Sequence, residues 1–402
     1  MPRPAAITRA SRRHFLTRAA AAGGWVLVVP ADWLARLSAQ APCDDGPVGE
    51  LIREIPLYGP GDAETPLGRM LGNPGLDARL FTDLSTLARD RMITPADEVF
   101  VRTTSPASVR HDPADWTFDV RGTGDAAPTR VRLTDLAADA RPMGPHLIEC
   151  AGNSNPHNFG LMSAAEWDGV PLERALRGVR RPPTATAVLV SGIDHESQRS
   201  RQSLPGASWV IPADLLGPHG AFLATRMNGR PLTSDHGAPV RLVVPGWYGC
   251  AWIKWVNELR WVGSDEPATS QMLEFAFRTH QEDIPELARD YAVPAIDTAA
   301  MPIRVEQRRI GGRLEYRIVG VVWGGTAPVD RLVLRFGSRD PGAPVRVCPT
   351  PATHETWALW THRWRPTEPG YYDLSLKVAD PAVRTRRLAL SFYIRRVRID
   401  DI

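Results

Sequence analysis

Arg226-Met-Asn-Gly-Arg-Pro-Leu-Thr-Ser-Asp-His236-Gly-Ala-Pro-Val-Arg241-Leu-Val-Val-Pro-Gly246-Trp-Tyr-Gly-Cys-Ala-Trp-Ile-Lys254-Trp255 sets basic side chains among apolar runs and tight turns. Its runs Pro239–Pro245 and Ile253–Val256 read as buried strands closed by turn residues. Lys254 stands out, because the only other lysine in the chain is Lys377 and an ammonium flanked by Ile253 and Trp255 is unlike a solvated surface group. Further upstream, Pro145–Cys150 and Ala187–Gly192 are apolar runs of the same kind, while Glu98–Arg102 and Trp116–Arg121 alternate like half-buried strands. Short amphipathic helices are expected over 131–137 and 173–178. Helices and strands mixed without strict alternation predict an α+β fold and disfavour a Rossmann sheet or a TIM barrel. From Cys43 to about Asp90 the Pro- and Gly-rich texture predicts loops and short helices.

Past Pro294 the texture changes. Residues 315–323, 331–336, 357–362, 371–378 and 388–394 read as strands separated by turns, which predicts a C-terminal β-sandwich. The boundary falls near 295, in the Ala- and Pro-rich stretch Val293–Pro302. At the other end, Ser11-Arg12-Arg13-His14-Phe15-Leu16 precedes the uncharged run Ala19–Ala31, and Ala39-Gln40-Ala41 offers small residues for cleavage. Paired arginines of this kind mark a Tat-type export signal, and the run is too short to span a bilayer. The expected organisation is therefore a signal over 1–41, an α+β domain over 42–295 and the sandwich over 296–402, in a periplasmic protein with no stable membrane span.

Charge and cysteine usage narrow the function classes. The 402-residue chain has a net charge of +3, but the first 41 residues hold six arginines against the single acid Asp32, so residues 42–402 carry net −2. A mildly acidic mature chain gives no support to nucleic-acid binding. Cys43, Cys150, Cys250 and Cys348 lie about a hundred residues apart, so no zinc-ribbon, Cys-x-x-Cys or covalent haem spacing exists, and the spacing demands no disulfide. Cys150, in Glu149-Cys-Ala-Gly-Asn153, ends an apolar run at a Gly-containing turn, where a thiolate would be presented into a cleft as a soft metal ligand. The bland alternative is a small buried hydrophobe.

Taken together, Glu149-Cys-Ala-Gly-Asn153, Glu166-Trp-Asp-Gly-Val-Pro-Leu172 and the Arg226–Trp255 stretch resemble the molybdopterin domain of the sulfite oxidase family, which includes sulfane dehydrogenase subunits. The likeness covers roughly residues 90–265, and the C-terminal strands resemble that family's Ig-like dimerisation domain, implying a possible homodimer. The resemblance implies one molybdenum-molybdopterin per chain with Cys150 as the protein ligand. It implies His236, Arg241, Lys254 and Asn153 as cofactor-binding residues, with cations suited to the pterin phosphate. Arg102 matches a substrate-facing arginine, Asp194 a further pocket position, and Tyr248 is a candidate source of a catalytic hydroxyl. For Arg102 a strand-edge salt bridge, and for Asp194 a turn cap, stand as alternatives.

The departures are equally specific. Thr103-Thr104 stand where the family has Asn-His, Asn155 where it has an arginine, and no tyrosine occurs in 270–280, where only Arg278 and His280 offer compensation. The implied function is an exported molybdenum-pterin oxidoreductase performing oxygen-atom transfer at sulfur, with sulfite itself a poor substrate. Without a haem or iron–sulfur ligand set, electrons would pass to an external carrier such as a c-type cytochrome. Two alternatives stand beside it: a sulfane dehydrogenase-type subunit needing a partner chain, and a non-catalytic extracytoplasmic binding protein.

Overall fold

A computed structural model describes residues 43, 48–60, 78–102, 112–122, 127–154, 159–193, 207–269, 271–272, 275 and 294–402. The proposed signal 1–41, Thr103-Thr104, Asn155, Asp194, Arg278 and His280 lie outside the described residues. Cys43–Ile402 forms one compact unit.

Two central sheets carry the site. The first runs Ser208–Pro212, Ala187–Gly192, Val256–Val262, Thr117–Arg121, Thr129–Arg132, antiparallel except where Val256–Val262 lies parallel to Thr117–Arg121. Val188, Val190 and Leu259 are fully buried, as expected of strands covered on both faces. The second runs Arg230–Pro231, Phe222–Met227, Met162–Pro171, Arg141–Glu149, with Arg241–Val243 also paired to Phe222–Met227. Arg141–Glu149 is thus an edge strand, and Cys150 is the first residue past its end.

The C-terminal strands form two further sheets, and both recruit the N-terminal segment. One runs Glu50–Ile55, Ala299–Ile310, Arg313–Trp323, Ala358–Trp364; the other runs Ala343–Arg346, Arg331–Phe336, Gly370–Val378, Arg395–Ile399, Leu57–Tyr58. The expectation of loops and short helices over 43–90 is therefore corrected: residues 50–58 are strands, exposed along Glu50–Glu54 because they lie at a sheet edge. A disulfide joins Cys43 to Cys348, leaving Cys150 and Cys250 as buried free thiols. One apolar core cluster runs from Val190 and Phe222 in the central sheets to Val321, Trp360 and Val397 in the C-terminal ones. A cut at 295 is thus crossed by strand pairing, a covalent bond and shared core.

Three other elements differ from expectation for identifiable reasons. Ala299–Ile310 is a twelve-residue strand although it contains Pro302; the register shifts between Pro302 and Arg304, and a bulge is where a strand tolerates proline. Residues 388–394 make successive turns, Leu390 N–H to Arg387 O and Tyr393 N–H to Leu390 O, that bury Leu388 and Tyr393 without a ladder. The strand follows at Arg395–Ile399. Helix is sparser than an α+β reading implies: 131–137 divides into strand Thr129–Arg132 and the 3-10 turn Leu133–Asp139, and 173–178 contributes only the α-helical turn Leu172–Ala175. Among the described residues no helix is long and apolar enough to cross a membrane.

Candidate active site

Cys150 is held at the end of its strand by backbone bonds on both sides, its N–H to Leu161 O at 2.9 Å and its carbonyl accepting from Asn153 N–H at 3.0 Å. The Gly152 N–H donates to Cys150 Sγ at 3.3 Å, so the turn turns its amide toward the sulfur. Asn153 uses both ends of its amide within this loop: Nδ2 donates to Glu149 Oε1 at 3.4 Å and Oδ1 accepts from Leu161 N–H at 3.2 Å. It braces the thiol-bearing turn from inside.

Cys250 comes from the 3-10 turn Gly249–Ala251, which lies against the Cys150 strand so closely that a Cβ on Gly249 would sit 3.0 Å from Ile148 Cγ1. Burial pushes the Cys250 thiol well above its ordinary pKa; the neighbouring Cys150 acts in the same direction and Arg102 in the opposite one. Two thiols and one guanidinium therefore share a neighbourhood. Arg102 ends the two-residue strand Val101–Arg102, which packs against the turn Ser234–His236. Its Nε is buried without a hydrogen-bond partner, and its guanidinium lies 5.6 Å from the centre of the Phe275 ring.

The basic residues of the quoted stretch converge through turn geometry. His236 closes the 3-10 turn Ser234–His236, with Nδ1 2.8 Å from Thr233 Oγ1 and Nε2 buried with no hydrogen bond. Gly237 follows at φ +95°, and its missing Cβ lets the backbone approach Lys254 Cβ and Cγ and Arg241 Cβ, all near 3.0–3.1 Å from where a Cβ would stand. Arg241 and Lys254 are themselves bridge partners. Lys254 Nζ donates to Asp235 O at 2.8 Å and lies 5.1 Å from the Trp255 ring centre. Trp255 holds a positive φ of 50°, rare for a bulky residue, and is fully buried with its indole N–H on Ser234 O at 3.2 Å.

Arg241 is the most telling of these. It is 3% exposed, lies 5.5 and 5.7 Å from the ring centres of Trp167 and Trp252, and among the described residues its Nη1 and Nη2 donate only to the carbonyls of His236 and Trp252 at 3.3 and 3.2 Å, while Nε has no hydrogen-bond partner. Among the described residues no carboxylate pairs with it. Burial alone pulls its pKa down to about 9. His236 is drawn down to about 4, first by burial and then by the charges of Arg241 and Lys254, so it is neutral at pH 7. A buried cation without an anion is costly, and a site that keeps one suits an anionic ligand.

Tyr248 packs against the side of the thiol turn that carries Glu149. It is 2% exposed with its ring 5.0 Å from the Arg386 guanidinium, and burial raises its hydroxyl pKa well above the phenol range against the opposing pull of Arg386. Arg386 itself makes a bidentate ion pair with the fully buried Glu149, at 2.8 and 2.6 Å. Sequence reading assigned no role to Glu149, Arg386 or Cys250. Glu149 was visible beside the cysteine, whereas Arg386 is one of three arginines in Arg384–Arg387 with nothing in type to single it out.

Known proteins share parts of this chain's sequence and fold. The family described as oxidoreductase molybdopterin binding domain matches residues 105–270. A Gallus gallus sulfite oxidase is 27% identical over 308 residues, 68% of this chain and 63% of that protein. A Fusarium oxysporum nitrate reductase [NADPH] is 28% identical over 191 residues, 44% of this chain and 21% of that protein. This chain thus spans a fifth of that nitrate reductase and less than two-thirds of that sulfite oxidase. The crystal structure of the sulfane dehydrogenase SoxCD from Paracoccus pantotrophus shares the fold, with a TM-score of 0.61 and 20% identity over 84% of this chain and 91% of that one.

The residues present fit such a cofactor. The buried Nε of Arg241 and Nε2 of His236, neither hydrogen-bonded among the described residues, and the Lys254 ammonium would suit an anionic pterin phosphate, the buried Nε of Arg102 an anionic substrate, and Cys150 would offer a soft donor. Among the described residues no group of three or more metal-ligating side chains occurs.

Proposed function

From a chain that belongs to the sulfite oxidase family of molybdopterin oxidoreductases, we propose an enzyme that transfers an oxygen atom at the sulfur of a small compound. The observations that carry this reading are a buried free thiol, Cys150, at the end of its strand and a buried guanidinium, Arg241, that pairs with no carboxylate among the described residues. When bound, the molybdenum centre would supply the two-electron oxygen-atom chemistry. The chain's own residues would bind and orient: Cys150 donates its thiolate, Arg241, Lys254 and His236 hold the cofactor's phosphate, and Arg102 meets an anionic substrate group. Asp194 is a proposed further pocket residue. The Tyr248 hydroxyl, held protonated, is a poor proton acceptor at neutral pH.

Electrons would leave to a separate carrier such as a c-type cytochrome. Export is supported by the Arg12-Arg13 signal and by the Cys43–Cys348 disulfide, a bond that persists in oxidising compartments. A second reading, a sulfane dehydrogenase-type subunit acting on sulfur presented by a partner chain, is favoured by the SoxCD fold likeness and by the neutral Asn155 and Thr104.

The test is metal analysis of the full chain made in a molybdenum-replete host, followed by reduction of the loaded protein with sulfite, thiosulfate and a protein-bound persulfide. About one molybdenum per chain and reduction by a sulfur compound support the proposal. Absence of molybdenum would instead support a non-catalytic binding protein.

A further inference from the structure

Glu149 immediately precedes Cys150, is fully buried, and receives every donor its carboxylate can use. Arg386 donates to both oxygens, Trp323 Nε1 donates to Oε2 at 2.8 Å, and Asn153 Nδ2 reaches Oε1 at 3.4 Å. Arg386 is fixed in turn: its N–H is bonded to Thr298 O at 3.0 Å, its Nη1 to the Tyr393 hydroxyl at 3.0 Å, and its face lies between the rings of Tyr248 and Trp323. Three of these partners, Arg386, Trp323 and Tyr393, come from the C-terminal strands and turns, 174 or more residues from Glu149.

We propose that Glu149 and Arg386 are positioning residues for the Cys150 thiolate, so that the C-terminal part of the chain sets the geometry of the metal ligand. This rests on the reading of Cys150 as that ligand. A bidentate, ring-sandwiched guanidinium fixes both the position and the orientation of the carboxylate. With the carboxylate fixed, and Asn153 tied to it and to Leu161, the intervening Cys150 has its φ and ψ held from both sides. A lysine would keep the charge but lose the fork, leaving the turn free to rotate.

The test uses the full chain in a Cys250→Ser background, so that Cys150 is the free thiol, with Arg386→Lys, Arg386→Gln and the double variant Glu149→Gln/Arg386→Met. Two quantities are read: the rate at which a thiol reagent labels metal-free protein, and the thiolate-to-metal absorption of the loaded protein per molybdenum. Arg386→Lys is expected to label on the order of tenfold faster, because the turn opens more often, and to shift the absorption band. The double variant removes both charges, so it is expected to regain the thermal stability that Arg386→Gln loses while keeping the fast labelling and shifted band. Recovery of labelling and absorption along with stability would reduce the pair to a structural ion pair and overturn the proposal. So would an Arg386→Lys protein that matches the parent in both readouts. If Cys150→Ser left the absorption unchanged, the ligand reading would fail separately, and labelling of the metal-free chain would still report on the turn.

Discussion

Replacing Arg241 by methionine is expected to stabilise the metal-free chain while weakening cofactor binding, two effects of opposite sign from one side chain. Burial lowers the Arg241 pKa from the ordinary guanidinium range to about 9, with no anion opposing it. At about 1.4 kcal/mol per pH unit, that displacement is a penalty of about 5 kcal/mol on the folded metal-free state at neutral pH. Methionine removes the charge and keeps an apolar stem between Trp167 and Trp252, but gives up the two bonds to His236 O and Trp252 O, about 1 kcal/mol each. The balance is a gain of about 2–3 kcal/mol, readable as a rise of several degrees in the melting temperature. The pH dependence carries the same sign. Above about pH 9 the folded state sheds the proton that the unfolded chain still binds, so parent stability rises with pH and the gap to Arg241→Met narrows. In the loaded enzyme the missing charge-assisted contact costs about 1.5–3 kcal/mol of binding, a ten- to hundredfold loss of affinity seen as lower molybdenum occupancy. Calorimetry of both proteins with and without inorganic phosphate, plus metal analysis, decides it. A less stable metal-free Arg241→Met protein, or equal stabilisation of both by phosphate, would refute the reasoning.

Cys150→Ser is expected to abolish thiolate-to-metal absorption and turnover, whereas Cys250→Ser retains the absorption; the reverse pattern would transfer the ligand role. The His236 imidazole, drawn to about 4, stays neutral while its unfolded counterpart protonates near pH 6.5, so metal-free stability falls as pH drops between those values, by about 3 kcal/mol. His236→Gln should flatten that slope in acid-titration melts, and an unchanged slope would place the responsible proton elsewhere. Reducing the Cys43–Cys348 bond, or replacing both cysteines by alanine, should cost about 2–5 kcal/mol, since it closes most of the chain into one loop; an unchanged melting curve under reductant would count against it. Sulfite should be turned over poorly, because two neutral positions each forgo a charged hydrogen bond of about 1.5–3 kcal/mol. A catalytic efficiency on the order of 10⁶ M⁻¹s⁻¹ would sink that expectation.

What could be read from sequence follows a physical divide. Lys254 stood out because it interrupts an apolar run and Cys150 because it ends one, whereas His236 and Arg241 were singled out by the family resemblance of their stretch. Strands with clean apolar content, such as Ala187–Gly192 and Arg331–Phe336, were legible from that content. Arg395–Ile399 was not, because arginines at three of its five positions hide the inward Val397 and Ile399. Asn153, a cofactor residue only by the family resemblance, bonds within the loop through both ends of its amide, to Glu149 and to Leu161. The partnership of Glu149 with Arg386, 237 residues apart, has no local signature at all.

The chain holds two kinds of buried charge, and the contrast separates binding from positioning. In the Glu149–Arg386 pair each charge faces its opposite, and the Trp323 indole and the Tyr393 hydroxyl fill further hydrogen-bond positions, with only Arg386 Nε left without a hydrogen bond among its nitrogens. Removing either partner leaves the other buried and uncompensated, so such a pair costs most when it is half-broken. Arg241 presents the opposite case, a guanidinium whose described partners are two carbonyls and two aromatic faces. Folding alone does not repay its desolvation; an anion would. A charge-paired carboxylate next to the thiol, in the same chain as a buried cation with no carboxylate partner among the described residues, is what the proposed division into a positioned protein ligand and an anion-binding residue requires.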